Sequence, residues 1–345
     1  MIANADALVA NRTSSVLQTL RRDALEILAS ALRAVDSGNL LSDHLSREGD
    51  LLEADGLRWN LDEVETFRVL AIGKASVPMT RALLRIVEPD ETLVAAAEEE
   101  FLGAPNASII QAPHPIPGAG SLKAGSEALS MANRTGPRDV LLVLLSGGGS
   151  AMLEHSDLPL DALQETTRLL LRSGMDIGSM NTVRRHLSLV KGGWLAKAAT
   201  RGGGACLALA LSDVVGDHPE DIASGPTAPD PTTFEDARRA LEDDDLWNAV
   251  PEVVRDRIQR GIEGEVAETP KPGHPGLERV SFRLVGSIRD AVREAIAEGE
   301  RRGYHPHTYG TQVTGEARTV GRNLVAAGIS TYRAGEPVAP PALLV

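Results

Sequence analysis

Cysteine is almost missing from this chain: Cys206 is the only one in 345 residues. No internal disulfide can form and no cysteine-based zinc site can be built, so a cytoplasmic location is expected. Cys206 lies inside an apolar run and reads as a buried core residue, not a nucleophile. Basic charge is also short, with 35 Lys and Arg against 48 Asp and Glu and a formal net charge of -13. That balance argues against a nucleic-acid partner, whose phosphate backbone needs a basic surface. An anionic small substrate stays compatible where a few cations are concentrated locally. No apolar run is long enough to cross a bilayer, so no membrane partner is expected. The amino-terminal Met-Ile-Ala-Asn-Ala-Asp lacks the basic-then-apolar order of a signal peptide. Internal repeats and low-complexity tracts are absent too.

What is present is alternation. Apolar positions at helical spacing follow a capping box at Ser15-Val-Leu-Gln18 and run to Asp36-Ser-Gly38. Short Val-, Ile- and Leu-rich runs predict strands at 67–73, 92–97, 107–111, 140–145, 206–211, 282–285 and 304–309. Helices are predicted between them, ending near 132 and then at 160–172, 181–190, 234–241, 250–262, 287–302 and 316–334. This pattern predicts an α/β fold with a Rossmann-like, mainly parallel sheet over 1–262. A Gly- and Pro-containing linker or surface excursion follows at 263–279. Residues 280–345 read as the incomplete start of a second, smaller α/β region. Pro340-Pro-Ala-Leu-Leu-Val345 looks like the entry to another buried strand, with the chain stopping before the ligand loop that such a strand would feed.

The most informative stretch is Asp139-Val-Leu-Leu-Val-Leu-Leu-Ser-Gly-Gly-Gly-Ser150. A strand buried on both faces ends in Ser146, Gly147, Gly148, Gly149 and Ser150. Three glycines let the backbone turn tightly and approach a ligand, and a helix opening there would aim free N–H groups at an anion. An ordinary glycine-rich turn is the alternative.

In parallel sheets ligands collect where strands end. Lys74 follows a strand-ending glycine and is a candidate anion contact. On a helix over 181–191, Asn181, Arg184, Ser188 and Lys191 share one stripe beside an apolar one. Arg184 could clamp a carboxylate or phosphate with two hydrogen bonds, and Lys191 could add a point charge. Arg185 and His186 fall off that stripe, and His186 reads as structural. Asp213 and Asp217, in Ser212-Asp-Val-Val-Gly-Asp217, could hold Mg²⁺ or take a proton, or merely make turns. Ser224, Gly225 and Thr227 could form a second anion loop or a plain turn. His114, between prolines, has no evident partner.

Taken together, six segments resemble the type-2 glycerate kinases, the DUF4147/MOFRL family. They are Gly73-Lys-Ala75; His114-Pro-Ile-Pro117; Leu145-Ser-Gly-Gly-Gly-Ser-Ala151; Asn181-Thr-Val-Arg-Arg-His-Leu-Ser188 with Lys191-Gly-Gly193; Ser212-Asp-Val-Val-Gly-Asp217; and Ile222-Ala-Ser-Gly-Pro-Thr227 with Asp230-Pro-Thr-Thr233. Their order and approximate spacing fit over almost the whole chain. The resemblance implies an ATP- and Mg²⁺-dependent kinase that phosphorylates the 2-hydroxyl of D-glycerate. By motif match, Lys74 and Arg184 would neutralise anionic groups, the 146–150 loop would hold phosphate or the substrate carboxylate, and Asp213 would serve the metal or the reacting hydroxyl. The family continues past the equivalent of Val345 into further glycine-rich motifs. The resemblance therefore also implies weak activity for this chain alone and completion by a separate MOFRL-domain chain; a homo-oligomer is compatible with the sequence, which does not set the oligomeric state. An NAD(P)-dependent hydroxypyruvate reductase is the rival reading, disfavoured because no G-x-G-x-x-G follows the first strand. A non-catalytic fragment or subunit of a split enzyme is the other.

Overall fold

A computed structural model describes residues 2–11, 14–98 and 100–345. In chain order the helices are α1 (Ala5–Ala10), α2 (Ser15–Ala34), α3 (Ser37–His44), α4 (Ser76–Leu83), α5 (Ala119–Asn133), α6 (Gly149–Met152), α7 (Leu160–Ser173), α8 (Ile177–His186), α9 (Trp194–Thr200), α10 (Phe234–Asp243), α11 (Glu252–Ile262), α12 (Ile288–Arg301) and α13 (Ala317–Ala334). The strands are β1 (Leu45–Glu48), β2 (Leu51–Ala54), β3 (Leu57–Asn60), β4 (Phe67–Ile72), β5 (Glu91–Ala96), β6 (Ala107–Gln111), β7 (Val140–Leu145), β8 (Ala205–Leu211), β9 (Val280–Gly286), β10 (His305–His307) and β11 (Ala342–Leu344).

The chain divides into two compact units, one of residues 37–285 and one of 1–36 with 286–345. The larger unit is built on a six-stranded sheet of order β6-β5-β4-β7-β8-β9. β4 through β8 pair in parallel. This is the order of a dinucleotide-fold sheet, in which the winding direction reverses between β4 and β7 and opens a crevice at their carboxyl ends. Period-2 burial explains why the strands read as continuous apolar runs. Leu70, Ile72, Leu141, Val143, Leu145, Cys206 and Ala208 face one core, which α5 and α9 cover with small residues such as Ala124, Ala128, Ala196 and Ala199. Val69, Ala71, Val140, Leu142, Leu144, Leu207 and Leu209 face the other, closed by Leu41 of α3 and by Val77, Met79, Ala82 and Leu83 of α4. A third cluster, including Leu163, Met180, Val183, Phe234, Leu241, Val254 and Ile258, joins α7, α8, α10 and α11. A small antiparallel sheet, β1-β2-β3, completes this unit.

In the smaller unit α2 lays Ile27 and Ala31 against Ala295 of α12, with Ala291, Tyr304, Leu343 and Val345 around them. β10 and β11 pair in parallel. Tyr304 donates to Asp23 at 2.7 Å and Arg302 reaches the same carboxylate at 3.1 Å.

These units differ from the expected boundaries in three places. The amino-terminal helix belongs with 286–345, because its apolar stripe finds its partner on α12. The strand expected to open the second region is the last strand of the large sheet. The stretch 263–279 is no loose linker: Thr269 donates to Asp230 at 3.0 Å, and the Pro270 carbonyl accepts from the Asp230 amide at 2.8 Å. The capping expectation shifts by one residue as well, since Ser14 caps α2 by accepting from the Leu17 amide.

Candidate active site

The crevice at the β4–β7 reversal holds a cavity of about 310 Å³. Four chain segments supply its polar wall: His114 after β6, Gly147, Gly148 and Ser150 after β7, Asp213 after β8, and Asn181 and Arg184 from α8. Lys74, after β4, joins them across Gly148, where an added methyl group would lie 3.3 Å from Lys74 Cε and 3.1 Å from His114 Cδ2. Gly148 also has φ +86°, which only glycine adopts without strain. At Gly147 a methyl would overlap the Asp213 carboxylate. The bare backbone of this loop is what lets a cation, an imidazole and a carboxylate meet over it.

The expected helix at the loop is only one turn, Gly149–Met152, so a helix dipole contributes little. The Gly148 and Ser150 amides nevertheless donate to no protein acceptor among the described residues, so both are available to an anion. Gly149 is committed to the turn, its amide bonding the Ser146 carbonyl at 3.3 Å. Ser146 is structural: its Oγ donates to the Ile72 carbonyl at 3.1 Å and accepts from the Ala75 amide at 3.0 Å, tying the ends of β7 and β4 together.

α8 begins at Ile177, four residues before the expected start, because the Asp176 side chain caps it by accepting from the Gly178 and Ser179 amides. It ends at His186, so Ser188 and Lys191 are not on its stripe. Ser188 is buried, donating to the His155 carbonyl at 3.4 Å and accepting from the Val190 amide at 3.3 Å. Lys191 is 1% exposed, paired with Glu154 and bonded to the Leu153 carbonyl at 3.0 Å. Burial pushes its ammonium down, against the opposing charge of Glu154. Neither residue reaches the cavity.

Arg184 does. It lines the cavity and forms no ion pair or hydrogen bond among the described residues, and burial lowers the pKa of its guanidinium despite the distant charge of Glu154. The side chains of Asp213 and Lys74 likewise have no hydrogen-bonding or ion-pair partner among the described residues, although the Lys74 amide donates to the Gly147 carbonyl at 2.9 Å. Leaving a largely buried cation unpaired is costly. Arg185, beside it in sequence, is committed elsewhere: it bonds the Glu220 carbonyl at 2.9 Å, Asp221 at 3.2 Å and Thr182 at 3.2 Å, and its Nε sits 3.0 Å from Asp230 in an ion pair. Its neighbour His186 touches the Thr182 carbonyl at 2.8 Å and Glu268 at 2.9 Å, a structural role as expected.

The 222–227 turn packs behind the cavity. Ala223, Ser224 and Gly225 all have positive φ, of 52°, 58° and 64°. Two non-glycine residues in this region mark local strain of the kind found at functional sites. Ala223 lines the cavity, whereas Gly225 serves the turn and Thr227 is buried away from the lining. Asp217 does not line the cavity either, and no group of three or more ligating side chains forms among the described residues. Asp221 does line it, but its carboxylate is engaged by Arg185 and Asn181.

Sequence reasoning passed over His114, which burial, and then the charges of Lys74 and Arg184, hold below its ordinary pKa while Asp213 opposes them. Its signals were its place in a proline-flanked loop and in the His114-Pro-Ile-Pro117 segment of the family resemblance.

The family profile described as a domain of unknown function, DUF4147, matches residues 23–259. A glycerate 2-kinase of Pyrococcus horikoshii is 36% identical over 96% of this chain and 74% of its own length. A D-glycerate 2-kinase of Thermotoga maritima is 30% identical over 95% of this chain and 73% of its own. An Agrobacterium vitis protein named for hydroxypyruvate reductase is 36% identical over 80% of this chain and 61% of its own. Among solved structures, the PH0495 protein of P. horikoshii superposes with a TM-score of 0.74 at 37% identity, covering 94% of this chain and 73% of that one. The T. maritima glycerate kinase follows at 0.73 and 29%, covering 95% and 73%. The fold, the ordered motifs and these relatives agree: the chain belongs to the DUF4147 family of glycerate 2-kinases.

Proposed function

We propose that this chain transfers the γ-phosphoryl group of ATP to the 2-hydroxyl of D-glycerate, in the cytoplasm. The observation that carries the reading is that Arg184 and Asp213 line one cavity, with Lys74 beside it across Gly148, and that none of the three side chains has a partner among the described residues. Phosphoryl transfer asks for positioning and charge neutralisation more than for covalent chemistry. Arg184, planar and bidentate, suits the substrate carboxylate. Lys74, with the Gly148 and Ser150 amides, suits the transferring phosphoryl oxygens. Asp213 is placed to accept the proton of the attacking hydroxyl. His114, its pKa held down, supplies a hydrogen-bonding group without a further positive charge.

Mg²⁺ commonly binds through one or two carboxylates plus nucleotide phosphates. Asp213 can be such a ligand; Asp217 lies outside the lining. The ion would supply charge neutralisation on the phosphates.

The test is an ADP-coupled assay with D-glycerate and Mg²⁺-ATP. It is run on the chain alone and with a separately expressed MOFRL-type domain, the partner this reading includes, and chain association is followed by light scattering. ADP release that depends on glycerate and falls about a hundredfold or more in Lys74→Ala and Asp213→Asn supports the proposal. The reductase reading rests on the name of the A. vitis relative; NADH oxidation by hydroxypyruvate without ADP release would favour it.

A further inference from the structure

Behind the cavity runs a chain of side-chain hydrogen bonds whose direction can be worked out. Asn181 Nδ2 lies 3.1 Å from Asp221 Oδ1 and 3.3 Å from the Asp221 carbonyl. Both are acceptors, and the Arg185 guanidinium donates to the same Oδ1 at 3.2 Å, which holds the carboxylate in place. The Asn181 amide nitrogen must therefore point at Asp221, which turns Oδ1 toward Ser224 Oγ, 2.9 Å away. An amide oxygen only accepts, so Ser224 donates its single proton there. Ser224 Oγ is also 2.8 Å from Ser150 Oγ. With its own proton committed, Ser224 can only accept, and Ser150 must donate. Ser224 and Asn181 are 0% and 1% exposed, so water does not compete for these bonds.

The consequence falls on Ser150, which lines the cavity. Its hydroxyl proton is used up, and only oxygen lone pairs remain for a ligand. Such a group repels carboxylate and phosphate oxygens and accepts from a hydroxyl. The Ser150 side chain is therefore unsuited to the anion-holding role expected of the 146–150 loop, although its amide can still donate. We propose that Ser150 is a specificity-determining residue that accepts a hydrogen bond from the non-reacting 3-hydroxyl of glycerate, with Ser224, Asn181 and Asp221 as the positioning residues that set its polarity. This rests on the glycerate kinase reading above. The 2-hydroxyl loses its proton during transfer and needs a carboxylate, whereas the 3-hydroxyl keeps its proton and suits a neutral acceptor.

D-Lactate, which has the 2-hydroxyl and lacks the 3-hydroxyl, separates the alternatives. A site built to bond a substrate hydroxyl rejects the analogue without it. Ser150→Ala should lower kcat/KM for D-glycerate by roughly ten- to a hundredfold. It should lower kcat/KM for D-lactate by a much smaller factor, so that the glycerate-to-lactate ratio falls, because the Ser150 backbone amide remains in the alanine variant. Ser224→Ala, which frees the Ser150 proton, should shrink the glycerate-to-lactate ratio in the same direction. An equal fall for both acids, or a rise in KM for ATP with the ratio unchanged, overturns the proposal. Should the wild-type chain, assayed with a MOFRL-type domain added, phosphorylate neither acid, the kinase reading fails. Calorimetric binding then decides separately: tighter D-glycerate than D-lactate binding in wild type, lost in Ser150→Ala, upholds the Ser150 assignment, and equal or no binding overturns it.

Discussion

Two adjacent arginines should behave in opposite ways. Arg185 is 2% exposed on its side chain, and its partner Asp230 is fully buried. Removing Arg185 strands the buried charge of Asp230 and weakens the hold on Asp221. Breaking a buried ion pair from one side costs about 3–5 kcal/mol. At about 2–4 °C per kcal/mol for a unit of this size, Arg185→Ala should lower Tm by roughly 6–20 °C. Arg184 has no such partner, and what its removal relieves is an unpaired, largely desolvated cation. Arg184→Ala should leave Tm unchanged or raise it, as expected for a group kept for function at the expense of stability. Its cost should appear in turnover instead, at about 3 kcal/mol or roughly a hundredfold. Helix phase alone places Arg185 off the Asn181/Arg184/Ser188 stripe; the buried ion pair with Asp230 adds a stability role that phase does not disclose. Differential scanning fluorimetry and steady-state kinetics on the two purified variants decide it. A wild-type Tm for Arg185→Ala, or an unfolded Arg184→Ala, would refute the assignment of charges to these two positions.

Further outcomes follow from the same geometry. Gly147→Ala should place a methyl group in the Asp213 carboxylate and abolish most glycerate-dependent ADP release; normal turnover in this variant would mean that Asp213 is not where the chemistry happens. Burial would raise the Glu268 pKa, but the His186 hydrogen bond and charge outweigh it and hold Glu268 at about 2. A depressed carboxylate contributes stability above its unfolded pKa and loses it as pH falls. Denaturation midpoints should therefore drop between about pH 4.5 and 2 in the wild type, and less steeply in Glu268→Gln; parallel curves would count against the pair. Burial pushes the Cys206 thiol up to about 12, so Ellman's reagent should react only as the protein unfolds, and rapid labelling of the native chain would contradict its place in the core.

The parts of this fold that sequence disclosed are those with short-range causes. The 140–145 strand is uniformly apolar because helices cover both sheet faces, and its ends were legible to the residue. Gly174, left-handed at φ +81°, ended α7 where its glycine suggested. α8 was misphased because its start depends on the Asp176 cap, while Gly178 just inside it disguised the helix. Arg184 survived that error, since sharing a helix face with Asn181 depends only on a spacing of three, whereas Ser188 and Lys191 lay past the true end. Lys191 also shows the limit of stripes: its partner Glu154 comes from a distant turn, and no local pattern announces a buried ion pair. The resemblance singled out the segment of His114, but its role was not legible, because its neighbours Lys74, Asp213 and Arg184 arrive on three other segments. Asp217 looked equivalent to Asp213 in sequence, and only the turn between them separates one that lines the cavity from one that does not.

Under the proposed function, Lys74, Arg184 and Asp213 together move a phosphoryl group onto the 2-hydroxyl of glycerate. Phosphorus NMR of D-glycerate incubated with Mg²⁺-ATP and this protein tests it directly, because the splitting of the new ester signal reports the site of attachment. A phosphate on C2 is coupled to one proton and gives a doublet; one on C3 is coupled to two and gives a triplet. The account predicts a growing doublet with wild type, in the presence of a MOFRL-type domain if the chain alone is slow, and none with Lys74→Ala, Arg184→Ala or Asp213→Asn. A triplet, or a doublet that persists in all three variants, would contradict it.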